Sequence, residues 1–168
     1  MTLAVYPVRQ GTSMVGYIAR CLDQIAELGL KIEALCLDPE SYTRKLFGFL
    51  TQVRVPFIVP VRRNGKRMKA LLQRTQSRYA EYRMKAKLPL LLTIAVAVKY
   101  AKGKRGKHGV EDLGYVVGGL AWSPRRVHQT YRSRFSIESS YWMRNQVKPR
   151  TNTKNPVIRY LYAIISFP

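Results

Sequence analysis

The order of apolar segments in the first third of the chain constrains the fold most. Residues 13–28 carry apolar side chains at helical spacing and are followed by Gly29, so they predict a helix. Residues 31–37 and 55–61 are short apolar runs that predict strands, and residues 39–53 between them predict a second helix. Strands that alternate with helices of this length are typical of an α/β layer with parallel pairing.

The middle of the chain has a different composition. Residues 62–107 hold fifteen of the 30 Lys and Arg side chains and a single acid, Glu81. In this part we predict a helix over 65–82, a strand over 90–101, a basic hairpin loop over 102–109 and a returning strand over 114–122.

The 168 residues therefore predict one α/β fold in three parts. Residues 1–61 form the first part of the core and begin with a further strand over 2–8. Residues 62–122 form a β-rich basic insertion, and residues 123–168 form C-terminal core helices, the last over 156–166 with Asn155 as its cap.

The net charge of +21 indicates the class of partner. A field of this sign favours nucleic acid, and a membrane surface is the weaker alternative because the basic residues are spread over loops and strands. The apolar run over 88–98 is too short to span a bilayer and contains Pro89. No signal peptide is evident, and Cys21 and Cys36 lack the spacing of a zinc site, so we expect a cytoplasmic protein.

Asp38 is the first candidate for metal chemistry, because it ends the apolar run over 31–37. Open α/β sheets bind ligands outside the carboxyl ends of their strands. Asp38 is also followed by Pro39, a pair that is typical of a helix N-cap with proline in the first turn. Both interpretations stay open at this point.

Glu138 is the second candidate, because it lies within the apolar face of a helix predicted over 123–147. Ser123 and Pro124 begin this helix as N-cap and first residue. Its apolar face comprises Val127, Tyr131, Phe135, Tyr141 and Trp142, with Arg134 and Glu138 inside it. An Arg134–Glu138 ion pair at i,i+4 would explain the two charges, and a metal-binding role for Glu138 would explain the carboxylate.

The same residues resemble a known family. Tyr131-x2-Arg134-x3-Glu138 is similar to the Tyr-Arg-Glu-Lys signature of DDE transposases encoded by bacterial and archaeal insertion sequences. YRSRFSIESSYWMRNQV resembles the C-terminal end of their catalytic domain, and CLDPESY with VPFIVPV resembles the strand, second acid and next strand. TLAVYPVRQG resembles a strand upstream of that acid, so the resemblance covers essentially the whole chain.

This resemblance implies a ribonuclease-H-like α/β core with a β-rich insertion. It makes Asp38 the second catalytic acid and Glu138 the third, both ligands of a two-metal site for Mg²⁺ or Mn²⁺. Tyr131 and Arg134 would hold DNA beside that site. The implied reaction is metal-dependent strand cleavage and transfer in DNA transposition.

Two positions depart from the family pattern. Asn145 stands where the signature has its Lys, and Lys148 is basic but out of register. No acid precedes Asp23, so the family's first catalytic Asp is absent. We therefore expect an N-terminally truncated transposase fragment that is inactive alone.

The DNA contacts that we expect come from the basic segments. The partners are transposon ends and target DNA, with a homo-oligomer as an option and no membrane. The alternative hypothesis is a non-catalytic basic nucleic-acid-binding module, in which Asp38 is only a cap and Glu138 only an ion-pair partner. The candidate phosphate contacts are Arg62, Arg63, Lys66, Arg67, Lys104, Arg105, Lys107 and Lys148.

Overall fold

A computed structural model describes residues 11–73, 75–84, 89–101, 109–135, 142, 146 and 152–165. The strand predicted over 2–8 and most of the loop predicted over 102–109 lie outside these residues. The chain divides into two compact units. One unit is Gly29–Arg132, and the other combines Met1–Leu28 with Ser133–Pro168.

A five-stranded mixed sheet forms the centre of the unit Gly29–Arg132. Its order is β1-β2-β5-β4-β3; β1 and β2 pair in parallel, and the other neighbours pair antiparallel. The α/β class and the parallel pairing of the first two strands are thus confirmed. The strands are β1 (Leu35–Cys36), β2 (Phe57–Pro60), β3 (Arg78–Met84), β4 (Leu90–Ala101) and β5 (Gly109–Gly118).

Strand β1 is shorter than the strand predicted over 31–37. The Leu35 amide donates to the Pro56 carbonyl at 2.8 Å, and the Leu37 amide donates to the Ile58 carbonyl at 3.0 Å. Pro56 has no N–H to return a bond, so the parallel ladder cannot extend toward Glu33.

Strand β4 has the bounds predicted for it, and β5 begins earlier than the strand predicted over 114–122. Ala101 pairs with Gly109 and Thr93 with Val117, so the two strands form a long antiparallel ladder. Strand β5 ends at Gly118, and Gly119 follows with φ of +66°. The segment predicted as an insertion therefore contributes three strands to the same sheet as β1 and β2.

The helix predicted over 39–53 is divided. Pro39–Ser41 is a short 3₁₀ helix, and α2 (Arg44–Gln52) begins after Thr43, whose hydroxyl accepts from the Leu46 amide at 3.4 Å. The Thr43 cap explains the division, because it begins a new helix where we expected a continuous one.

The helix predicted over 65–82 is wrong in its second half. Helix α3 (Lys66–Leu72) ends at Leu72, and Tyr79 lies in β3. The sequence RYAEYRM alternates between less and more exposed positions along β3, which is the two-residue period of a strand. Tyr79 fitted both periods, and the strand prevailed because β4 pairs with residues 78–84 throughout.

Helices cover both faces of the sheet. Helix α4 (Pro124–Ser133) packs on one face, where Val127 and Tyr131 join a buried cluster completed by Ile58, Ala95, Tyr115 and Val117. The opposite face carries α2, whose Phe47 ring stacks on Phe57 at 5.9 Å, and α3, whose Leu72 lies against Gly114. The unit is therefore a three-layer α/β arrangement.

The other unit contains two described helices with side-chain caps, of which the Asn155 cap was predicted. Helix α1 (Met14–Glu27) begins after Ser13, whose hydroxyl accepts from the Gly16 amide at 3.2 Å. Helix α5 (Pro156–Ile165) begins after Asn155, whose side-chain oxygen accepts from the Val157 amide at 2.9 Å. Among the described residues, no helix has the length and apolarity needed to cross a membrane.

Gly118 and Gly48 make a matched pair for testing the packing. A Cβ at Gly118 would overlap the Phe57 ring, which is 3% exposed and stacked on Phe47. A Cβ at Gly48, on the exposed side of α2, would meet nothing. We expect Gly118→Ala to lower the free energy of unfolding by about 1–3 kcal/mol. Gly48→Ala should raise it by about 0.5–1 kcal/mol in the same denaturant titration. Changes of the same sign in the free energy of unfolding of the two variants would contradict this packing.

A tyrosine and a histidine are paired at the α4 face. The Tyr115 hydroxyl lies 2.8 Å from Nδ1 of His128. Burial, followed by the influence of Tyr131, raises the pKa of Tyr115 to about 12, so its hydroxyl remains protonated and can donate. Burial, with Arg132 and Lys99 next, lowers the pKa of His128 below its usual 6.5, although Glu111 opposes the shift. His128 is therefore a half-buried neutral acceptor near pH 7.

This pair should make stability depend on pH. Because the pKa of His128 is lower in the folded state, the unfolded chain takes up the proton first as pH falls below about 6.5. We expect the free energy of unfolding to decrease as pH falls from 7 toward 5. His128→Gln should lack this contribution, so the difference between the two proteins' unfolding free energies should change with pH. A difference that is constant from pH 5 to 8 would contradict the expectation.

Candidate nucleic-acid interface

The carboxyl ends of β1 and β2 bring Asp38 and Arg62 to one edge of the sheet. Asp38 comes two residues after β1, and Arg62 comes two residues after β2. Because these strands are parallel neighbours, the segments that follow them leave the sheet side by side. This edge is where we expected a ligand of an open α/β sheet.

Asp38 occupies the N-cap position of the 3₁₀ helix Pro39–Ser41. Its backbone carbonyl accepts from the Ser41 amide at 2.9 Å, and Pro39 stands in the first turn. Its carboxylate makes no capping hydrogen bond to this helix and is exposed. The cap interpretation is therefore confirmed for the backbone and wrong for the side chain.

Arg62 binds the turn that Asp38 begins. Its Nε donates to the Pro39 carbonyl at 2.9 Å, and its Nη2 donates to the Glu40 carbonyl at 3.4 Å. The guanidinium thus connects the segment after β2 to the segment after β1. We expected Arg62 to contact phosphate, and the structure gives it a further part in holding the backbone next to Asp38.

Of the basic residues that follow Arg62, one bonds to a neighbouring strand and the others are exposed on α3. Arg63 donates from Nη2 to the Asp112 backbone carbonyl of β5. Helix α3 buries Met68 and Leu72 and leaves Lys66, Arg67 and Lys69 exposed. Four of the predicted phosphate contacts therefore lie between the end of β2 and the first turn of α3.

Tyr131 and Arg134 have different surroundings. Tyr131 is 7% exposed, and its ring centroid lies 5.2 Å from that of Tyr115. In this position it packs in the core and offers little surface to a ligand. Arg134 follows the end of α4 and is half-buried.

Several predicted site residues lie outside the described part of the chain. They include the third expected acid and the residue in the place of the signature Lys, so their geometry remains a prediction. These residues are Glu138, Asn145, Lys104, Arg105, Lys107 and Lys148.

Two further residues were not singled out as functional from the sequence. Burial, with the Tyr82 phenol next, raises the pKa of Tyr42 to about 12, so this tyrosine stays neutral at the end of the 3₁₀ helix. Arg78 begins β3, and its Nη2 donates to the Leu71 carbonyl of α3 at 3.3 Å. No local pattern located Arg78, because Tyr79 fits both periods and the pairing with β4 decides the structure.

No family model and no curated protein matches this sequence. Within the described ranges, no three His, Cys, Asp or Glu side chains group closely enough to hold a metal ion. The resemblance to DDE transposases therefore depends on the sequence motifs alone.

The role of Arg62 can be tested without a ligand. Arg62→Lys retains the charge but loses the Nε donor, so one net hydrogen bond, worth about 1 kcal/mol, should be lost from the turn. We expect about fivefold faster hydrogen exchange at the Ser41 and Tyr42 amides. Arg125→Lys, on the exposed side of α4, is the control and should leave these amides unchanged. Unchanged exchange in Arg62→Lys would contradict a holding role.

Proposed function

We propose that this chain is the C-terminal part of a DDE-type transposase catalytic domain with a ribonuclease-H-like core. It binds transposon and target DNA and contributes to metal-dependent strand cleavage and transfer in the complete enzyme. The proposed partners are DNA and other copies of the transposase, and the proposed location is the cytoplasm. The observation that carries the proposal is the position of Asp38 beside Arg62 at the carboxyl edge of parallel strands.

Three features support DNA as the partner. The net charge of +21 provides the long-range attraction that polyanions require. The exposed cations of α3 lie a few residues after Arg62, so the basic surface begins close to the candidate acid. The β1-α2-β2 unit contains the strand, the acid and the next strand that the resemblance implies, with β1 and β2 paired in parallel.

Asp38 is a suitable ligand for part of a divalent-metal site. It is an exposed carboxylate, and Mg²⁺ is commonly held by one or two carboxylates together with substrate phosphates. In this proposal Glu138 is the second protein ligand. A bound ion would neutralise charge that develops on the phosphate during transfer, and Arg62 would keep the turn of Asp38 in place.

A second function is favoured by one observation. Asp38 already has a structural position as the first residue of the 3₁₀ helix, bound through its backbone. The backbone position of residue 38 is thus explained without a metal. The alternative is therefore a non-catalytic basic module that binds nucleic acid through the same surface.

A thermal unfolding experiment with DNA and Mn²⁺ separates the two functions. If Asp38 is a metal ligand, Mn²⁺ should raise the unfolding midpoint of the wild-type chain bound to DNA, because an ion that binds the folded state stabilises it. Asp38→Asn and Glu138→Gln should each abolish this increase. Glu40→Gln, which removes an exposed carboxylate two residues away, should retain it.

The outcomes are distinct. If Mn²⁺ still raises the unfolding midpoint of Asp38→Asn and Glu138→Gln, these residues are not the metal ligands. The transposase proposal would then be contradicted in favour of the non-catalytic module. DNA binding itself is measured separately by fluorescence anisotropy, and the logarithm of affinity should fall linearly with the logarithm of salt concentration. A wild-type chain that binds neither DNA nor RNA at low salt would contradict both functions.

A further inference from the structure

A groove of about 410 Å³ lies between α3 and β3, away from the Asp38 turn in sequence. Its volume is within the range of sites that accept small ligands or parts of larger ones. Ala70 and Ala80 contribute short side chains to the lining, so a ligand can approach the backbone there. The remaining lining includes Arg67, Leu71, Arg78 and Glu81.

Arg78 is held in this groove and has guanidinium N–H groups that form no hydrogen bond within the described residues. Its backbone pairs with Val96 of β4, and its Nη2 bonds to the Leu71 carbonyl at 3.3 Å. Its Nε is shielded from solvent and has no acceptor in the described part of the chain. A guanidinium has five N–H donors, and within the described residues only Nη2 is seen to donate, to the Leu71 carbonyl. Arg78 is therefore a half-buried cation whose hydrogen-bonding capacity is mostly unfilled.

The charges of the groove favour an anion. Arg67 is exposed on α3, and within the described residues neither Arg67 nor Arg78 forms an ion pair with Glu81. The two-residue period of β3 places the Glu81 side chain on the face opposite Arg78, so the two arginines give the groove a net positive charge. A planar guanidinium can donate to two oxygens of one phosphate group. An arginine already paired with a carboxylate could not bind phosphate in this way.

From this geometry we infer that the α3–β3 groove is a binding site for a backbone phosphate of DNA, with Arg78 as its fixed anchor and Arg67 as its second contact. The inference rests on the proposed function, because it assumes that DNA is the partner. It extends the interface from the Asp38–Arg62 edge across α3 to β3, and it assigns a role to Arg78 that the sequence motifs do not.

The test is the salt dependence of binding to a fluorescein-labelled duplex, measured with the full chain by anisotropy. Arg78→Gln and Arg67→Gln should each reduce the slope of log affinity against log salt by about one. Each should weaken binding about five- to tenfold near 0.1 M salt, as expected for one lost phosphate contact.

Arg83→Gln is the matched control. Arg83 is exposed on the same strand, and its odd separation from Arg78 places it on the opposite face of the sheet. It loses the same charge, so a general electrostatic effect would weaken binding equally in both variants. Equal slopes for Arg78→Gln and Arg83→Gln would overturn the inference.

Two further measurements make the result specific. Arg67 is exposed on α3, so Arg67→Gln keeps the test valid if Arg78→Gln does not fold. Inorganic phosphate, titrated alone against wild type and Arg78→Gln by calorimetry, should bind far more weakly than DNA. Tight phosphate binding that depends on Arg78, with unchanged DNA affinity, would assign the groove to free phosphate and overturn the inference. A wild-type chain that fails to bind DNA contradicts the proposed function first.

Discussion

Strand β2 is held between β1 and β5, and the positions of the other elements depend on these two pairings. Phe57, Ile58 and Val59 are almost fully buried because helices cover both faces of the strand. Residues buried on both sides form a continuous apolar run, which is typical of a strand in the interior of an α/β sheet. Strand β1 has two residues and one partner, so the position of Asp38 depends on β2.

Local sequence patterns predicted the elements that local interactions determine. The caps Ser13, Ser123 and Asn155 act within three residues, and each begins the helix that we expected. Strand β3 was missed because Tyr79 also continues the helical period of α3, and the choice between the two structures is made by β4, which lies later in the chain. Pairing partners at this separation leave no local signal, so periodicity alone could not distinguish the alternatives.

The candidate site was predictable residue by residue but not as an arrangement. Asp38 was identified from the end of an apolar run, and Arg62 from a cluster of basic residues. The bond from Arg62 to the Pro39 carbonyl crosses 23 residues of chain and exists only because β1 and β2 are parallel neighbours. Tyr131 belongs to the apolar face that we expected, and its burial against Tyr115 shows that packing accounts for its position in this helix.

Three arginines make the same kind of hydrogen bond, and this bond links the fold to the surface charge. Arg62, Arg63 and Arg78 each donate to a backbone carbonyl of a different segment, and each has further N–H groups that these bonds do not use. In a chain of charge +21, self-repulsion opposes the compact state, and bonds of this kind offset part of it. The same side chains therefore stabilise the fold and contribute positive charge to its surface. Removing one of them changes both properties, so charge must be separated from hydrogen-bond geometry by Lys substitutions and by variants on the opposite face.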